Sequence, residues 1–209
     1  MRARLALFIA AAFAALFPGT VLAEGVATET IVLLRHAEKS PLGFGQLTCQ
    51  GLNRALALPA VIAAQFGKPD AIFAPDPSQA VAENGGSYDY VRPLATIEPT
   101  AVAFGLPVDA SIGVFHVDAL RYKLEAPPYW NALLVVAWEG NEIPRLARLL
   151  MADHGGDQAV VPAWKGNDDF DSLYVVKITR GAGGASAAFE HHQEGLDGQP
   201  TACPGRLPG

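Results

Sequence analysis

The chain has 209 residues and a formal net charge of −6; half of it is hydrophobic and only 17% is charged, against about 25% in an average soluble protein. That length suits one domain with a single sizeable core. An acidic balance without lysine or arginine clusters argues against nucleic acid and anionic membrane as partners.

Part of the apolar excess lies at the amino terminus. Arg2 and Arg4 precede thirteen uncharged residues, Leu5 to Phe17, and then Pro18, Gly19 and the small-residue ending Val21-Leu22-Ala23. This is the layout of a secretory signal peptide, so residues 1–23 are expected to be cleaved and residues 24–209 to form the mature domain. The apolar run is shorter than the roughly 20 residues that span a bilayer, which disfavours a retained anchor. Loss of Arg2 and Arg4 takes the formal charge to −8. The expected location is periplasmic or secreted, with no membrane association after cleavage.

Thr30 to Leu34 is a continuous apolar run, suited to a strand buried on both faces. A helical pattern begins at Thr48 and ends near Gly67-Lys68-Pro69, with Pro59 predicting a kink or early break. Asp70 to Ala74 reads as a second strand. Pro75 to Tyr90 is rich in Pro, Gly, Asn and Ser and reads as a loop. Arg92 to Phe104 has helical spacing despite Pro99. Asn131 to Trp138 is a third apolar strand, and Ile143 to Met151 follows as a helix with Pro144 in its first turn. Ser172 to Thr179 and Ser186 to Glu190 flank the glycine-rich turn Gly181-Ala182-Gly183-Gly184 and predict an antiparallel edge. Strands alternating with helices imply an α/β fold with a mainly parallel mixed sheet.

Cys49 and Cys203 are the only cysteines. In an oxidising compartment they leave a single bridge available, tying the tail from Gln199 to the segment after the first strand. Closing so long a loop would contribute about 4–5 kcal/mol in the chain-entropy account.

In open α/β sheets, ligand sites lie beyond the carboxyl ends of the strands. The first strand runs there into Arg35-His36-Ala37-Glu38-Lys39, and the third into Trp138-Glu139-Gly140-Asn141. Arg92 opens the helix between them. Glu190-His191-His192-x-Glu194 has metal-ligand residue types, but neighbours on a strand face opposite ways, so a solvated strand end is the better reading. The aromatics Tyr88, Tyr90, Tyr129 and Trp130 either line a substrate mouth or close the core edge. The chain has no phosphate-loop, Gly-x-Ser-x-Gly or Cys-x-x-Cys motif.

Leu33 to Lys39 resembles the Arg-His-Gly or Arg-His-Ala signature of the histidine phosphatases, the phosphoglycerate mutase-like superfamily. Three further landmarks follow in that family's order. Leu47-Thr48-Cys49-Gln50-Gly51 resembles its Leu-Thr-x-x-Gly helix start. Arg92 to Ala101 resembles the helix carrying its second arginine, and Val135 to Glu139 the strand leading to its second histidine. Together they span Ile31 to Ile143.

The resemblance implies a three-layer α/β/α sandwich and a phosphomonoesterase that forms a phosphohistidine at His36. Arg35 and Arg92 would hold the phosphoryl oxygens through paired, permanently charged donors. No metal and no cofactor are expected, and the ligand would be a small phosphorylated molecule or inorganic phosphate. Glu139 and Asp118 are both candidates for the general acid, and Lys39 would touch a substrate phosphate. Gly140 marks a departure, because members ending this strand in Trp-Glu-His carry their second histidine there. Losing one such oriented donor costs about 100- to 1000-fold in rate. His116 and His154 are not placed by spacing to fill the gap. A slow phosphatase and a phosphate-binding protein without turnover are the two readings this leaves.

Overall fold

In the computed structural model, which describes residues 25–205, the apolar run from Thr30 lies inside strand β1 (Ala27–Arg35). Residues 1–23, read above as a signal peptide, fall outside that range. Ile31 and Leu33 face one side of the sheet, Val32 and Leu34 the other, and all four are fully buried. A strand covered on both faces needs apolar residues at every position, hence the unbroken run. Strand β2 (Ala71–Pro75) is the next in the chain to join the sheet, followed by β5 (Val108–Ile112) and β6 (Leu133–Trp138). β6 lies parallel beside β1 with Trp138 opposite Arg35, and β2 and β5 continue the parallel array. On the other side of β1, β7 (Ser172–Gly181) and β8 (Gly184–Gln193) run antiparallel in turn, giving the order β5-β2-β6-β1-β7-β8.

Helices cover both faces. α1 (Cys49–Gln65) and α2 (Arg92–Phe104) bury Leu58, Ile62, Ile97 and Ala101 against one. α3 (Val117–Leu124) and α4 (Glu142–Asp153) bury Leu120, Leu124, Leu146 and Leu150 against the other. The result is the expected three-layer sandwich. Thr48 caps α1, its Oγ1 accepting from Gly51 N at 3.0 Å. Gly51 is required by close approach, since a Cβ there would lie 2.5 Å from the Glu38 carbonyl oxygen. The early break expected at Pro59 does not occur, and α1 runs on to Gln65. Proline removes one helical hydrogen bond, and the buried stripe of Leu58 and Ile62 holds the helix against the sheet across it.

Two further expectations need correcting. The segment read as a loop from Pro75 to Tyr90 contains a hairpin, β3 (Ala80–Glu83) and β4 (Gly86–Asp89), forming its own two-stranded sheet. Its turn is Asn84-Gly85, both at positive φ (45° and 82°), the two-residue geometry that Asn-Gly favours. The stretch between α2 and β6, where the sequence pattern marks no element, holds β5 and α3, and Asp118 sits in the first turn of α3.

Cys49 and Cys203 form the disulfide, and Asn53 Nδ2 donates to the carbonyls of Pro200 and Ala202 nearby. The tail is thereby held to the start of α1. No helix among the described residues is long and apolar enough to cross a membrane.

Candidate functional site

The carboxyl ends of β1 and β6 lie side by side, and the His36 backbone N–H donates to the Trp138 carbonyl at 3.1 Å. This pairing delivers the His36 imidazole beside Glu139, and α2 brings Arg92 in from the flank. Ala37 N donates to Thr96 Oγ1, which itself donates to the Arg92 carbonyl, so β1 and the first turn of α2 are locked together. A cavity of about 260 Å³ is lined by His36, Lys39, Glu83, Tyr90, Arg92 and Glu139, among others.

His36 is 1% exposed. Its Nδ1 lies 2.8 Å from the Ala37 carbonyl oxygen, which can only accept, so Nδ1 carries the proton and Nε2 the free lone pair. Burial, and then the charges of Arg92, Arg35 and Lys39, outweigh the Ala37 hydrogen bond and hold this imidazole well below the ordinary histidine range. It is neutral at neutral pH, the state a nucleophile needs. Tyr90 stands edge-on to the ring at 6.0 Å and Phe170 tilts against it at 6.1 Å.

Arg92 is equally enclosed, at 3% exposure. Its Nη2 pairs with Glu83 Oε1 at 2.5 Å and its guanidinium lies over the Tyr90 ring, but Nε and Nη1 have no partner. A buried cation with unmet donors beside a cavity is a binding place for an anion, because leaving such donors unpaired costs free energy.

Arg35 is placed differently. Its Nη1 donates to the carbonyls of Gly166, Asn167 and Asp169, and its guanidinium stacks on Phe170 at 4.5 Å. Arg35 is not among the residues lining the His36 cavity, and it fastens the 166–170 loop to the end of β1. Glu139 does line the cavity, but its Oε2 accepts from Asn141 N and Glu142 N and its Oε1 from Asn141 Nδ2, capping the start of α4. Asp118 is exposed, pairs with Arg145 and lies off the cavity. Lys39 lines both this cavity and an adjoining groove of about 650 Å³. Gly140 is buried, and a Cβ there would come within 3.0 Å of Arg35 Cδ and Nε, so a side chain at 140 requires Arg35 to move. His154 is remote, bound to Glu125, and His116 precedes α3.

Of the four aromatics left open above, Tyr90 lines the site and Tyr88 packs on Phe44 within the hairpin. Tyr129 meets Phe73, and Trp130 donates to the Glu125 carbonyl. His191 is bonded to Ser172, and His192 to Glu190. Among the described residues no group of three or more His, Cys, Asp or Glu is placed to hold a metal ion.

Two features escaped the sequence. Glu83, on the hairpin, reaches Arg92; the Asn84-Gly85 turn was its signal. Arg54, on α1 and 1% exposed, is ringed by Glu38, Asp171, Glu194 and Asp197 at 2.8–3.0 Å. Nothing in the spacing of those residues marks them as neighbours.

The fold is shared with solved phosphatases. A protein assigned as phosphohistidine phosphatase SixA from Nakamurella multipartitia gives a TM-score of 0.51 at 17% identity, over 81% of this chain and 98% of that one. The mycobacterial glucosyl-3-phosphoglycerate phosphatase, solved with inorganic phosphate, gives 0.50 at 15% identity, over 78% and 95%. The architecture is thus the phosphoglycerate mutase-like α/β fold. No family model and no curated protein matches the chain in sequence.

Proposed function

We propose that this chain is an exported phosphomonoesterase of the histidine phosphatase type, acting through a phosphohistidine at His36. One observation carries the reading: the buried, neutral His36, with Nε2 unprotonated, lines a cavity together with Arg92, whose buried Nε and Nη1 have no partner. In the reaction, Nε2 attacks phosphorus and the Arg92 donors hold the phosphoryl oxygens, on which charge spreads in the transition state. The chemistry as drawn calls for no metal or cofactor. The ligand class is a small phosphorylated molecule, in keeping with the phosphate bound to the mycobacterial phosphatase of the same fold. Export rests on the signal-like residues 1–23, and the disulfide is what an oxidising compartment permits.

A second reading, a phosphate-binding protein without turnover, is favoured by Gly140 and by the engagement of Arg35 with loop carbonyls. Both thin the cradle that the resemblance implies. A phosphatase assay on the purified mature chain separates the two. The enzyme reading predicts hydrolysis that falls by at least about 1000-fold in His36→Ala. Anion binding with no hydrolysis in the wild type would leave the binding reading.

A further inference from the structure

The reaction above leaves a proton unassigned, because the departing alcohol oxygen must be protonated as its bond to phosphorus breaks. Three carboxylates line the His36 cavity, those of Glu83, Glu139 and Glu142. Glu139 caps α4 through both oxygens, and Glu142 accepts from Arg145. Glu83 differs from both. It contacts Arg92 directly and stands on the wall shared by the His36 cavity and the adjoining groove.

Its position is built rather than incidental. Glu83 Oε2 accepts from Gly45 N at 3.3 Å, and the next residue, Asn84, donates from Nδ2 to the Pro41 carbonyl at 2.6 Å. Phe44 meets Tyr88 edge-on at 5.5 Å, closing the hairpin onto the 40–45 loop. A Cβ on Gly43 would lie 3.0 Å from Glu83 Cβ and 3.2 Å from Oε2, so glycine there leaves the space this carboxylate occupies.

Building on the phosphatase reading, we infer that Glu83 is the general acid for the leaving oxygen and then the base for the attacking water. In the free protein Glu83 is ionised. Partial burial opposes this, but the Arg92 hydrogen bond and charge, the Gly45 N–H and Lys39 together hold it below the usual carboxylate range. The other groups around it are His36 and Tyr90, with Glu139 and Glu142 across the cavity. A phosphoryl dianion entering the open side of Arg92 takes over Glu83's counter-ion and adds like charge beside it. Both changes favour protonation, so Glu83 takes a proton from solvent as the substrate binds.

The steps then balance. His36 Nε2 forms its bond to phosphorus while the bond from phosphorus to the leaving oxygen breaks, and that oxygen takes the Glu83 proton and departs as an alcohol. The Glu83 carboxylate next removes a proton from water, whose oxygen bonds to phosphorus as the bond to Nε2 breaks. Orthophosphate leaves, His36 regains its lone pair and Glu83 is again protonated. The sum is ester plus water to alcohol plus phosphate.

The test compares leaving-group release in a single turnover, the step that precedes water attack, for Glu83→Gln and wild type on an alkyl phosphate and on p-nitrophenyl phosphate, whose phenolate departs with little need of a proton. The expected result is a loss of about 100-fold in the rate of that release from the alkyl ester and a far smaller one from the aryl ester. Equal losses on both, or none, overturn the assignment of Glu83 while leaving His36-dependent hydrolysis intact. Calorimetry of sulfate binding to the wild type in two buffers of different ionisation enthalpy supplies a readout that needs neither turnover nor the variant. Proton uptake on binding supports the inference; sulfate binding without uptake overturns it. Failure of the wild type both to bind sulfate and to hydrolyse either ester overturns the phosphatase reading itself, and this inference with it.

Discussion

Arg54 and Arg92 are buried to nearly the same degree, yet their surroundings are opposites. Every nitrogen of Arg54 is engaged: Nε with Glu38, Nη1 with Asp171 and Glu194, Nη2 with Glu38 and Asp197. Arg92 makes one ion pair and keeps two buried nitrogens without partners. The first arrangement joins the loop after β1, α1, the start of β7 and the segment after β8, and offers nothing to a ligand. The second is incomplete until an anion arrives. Burial of a charge alone therefore does not mark a site; burial with unmet donors at a cavity does.

The Arg54 cluster also carries more negative charge than one guanidinium neutralises. Burial first, and then the neighbouring Asp171 and Glu38, push Glu194 up to about 8 against the pull of Arg54, and its Oε1 has no partner. Glu194 thus keeps its proton to higher pH than an ordinary carboxylate would.

The contrast can be broken most forcefully at the two arginines. Arg54→Ala strands buried carboxylates and is expected to lower stability by roughly 3–5 kcal/mol in denaturant unfolding. Arg92→Ala removes one ion pair along with two unmet donors and should cost less than half as much, while abolishing oxyanion binding. Similar losses of stability from the two substitutions would erase the distinction drawn here.

A smaller effect sharpens the same comparison through pH. The folded-state pKa of Glu194 lies above its unfolded value, so the folded state binds the extra proton. Its contribution to stability is full below the unfolded value of 4.5 and is lost as pH rises through about 8. Urea unfolding across that window should show the decline, and Glu194→Gln should flatten it. A slope unchanged in the variant would place the titration elsewhere.

Much of the scaffold was legible in the chain because burial on both faces leaves an unbroken apolar mark. Strands β1 and β6 followed from such runs, and the start of α1 beside Thr48 and the span of α2 from helical spacing. The bridge from Cys49 to Cys203 followed because no third cysteine competes. The hairpin was hidden by four-residue strands of mostly small or polar residues, although Asn84-Gly85 announced its turn. Arg35 and His36 are adjacent in a motif and both pack on Phe170, but nothing in the motif says that the carbonyls of a distant loop take up the Arg35 guanidinium. His36 enters the cavity while Arg35 holds the 166–170 loop. The ring around Arg54 draws on residues more than a hundred positions downstream, a proximity that only the β1, β7 and β8 pairing creates.

The most direct test of the central claim is to mix the mature protein with excess phosphate ester, quench in alkali, where phosphohistidine survives, and map the phosphoryl group by peptide mass spectrometry. The proposed chemistry predicts one phosphoryl group, on His36, that disappears in Arg92→Ala. Ester hydrolysis that proceeds with His36 unmodified, or that persists at the wild-type rate in His36→Ala, would contradict it.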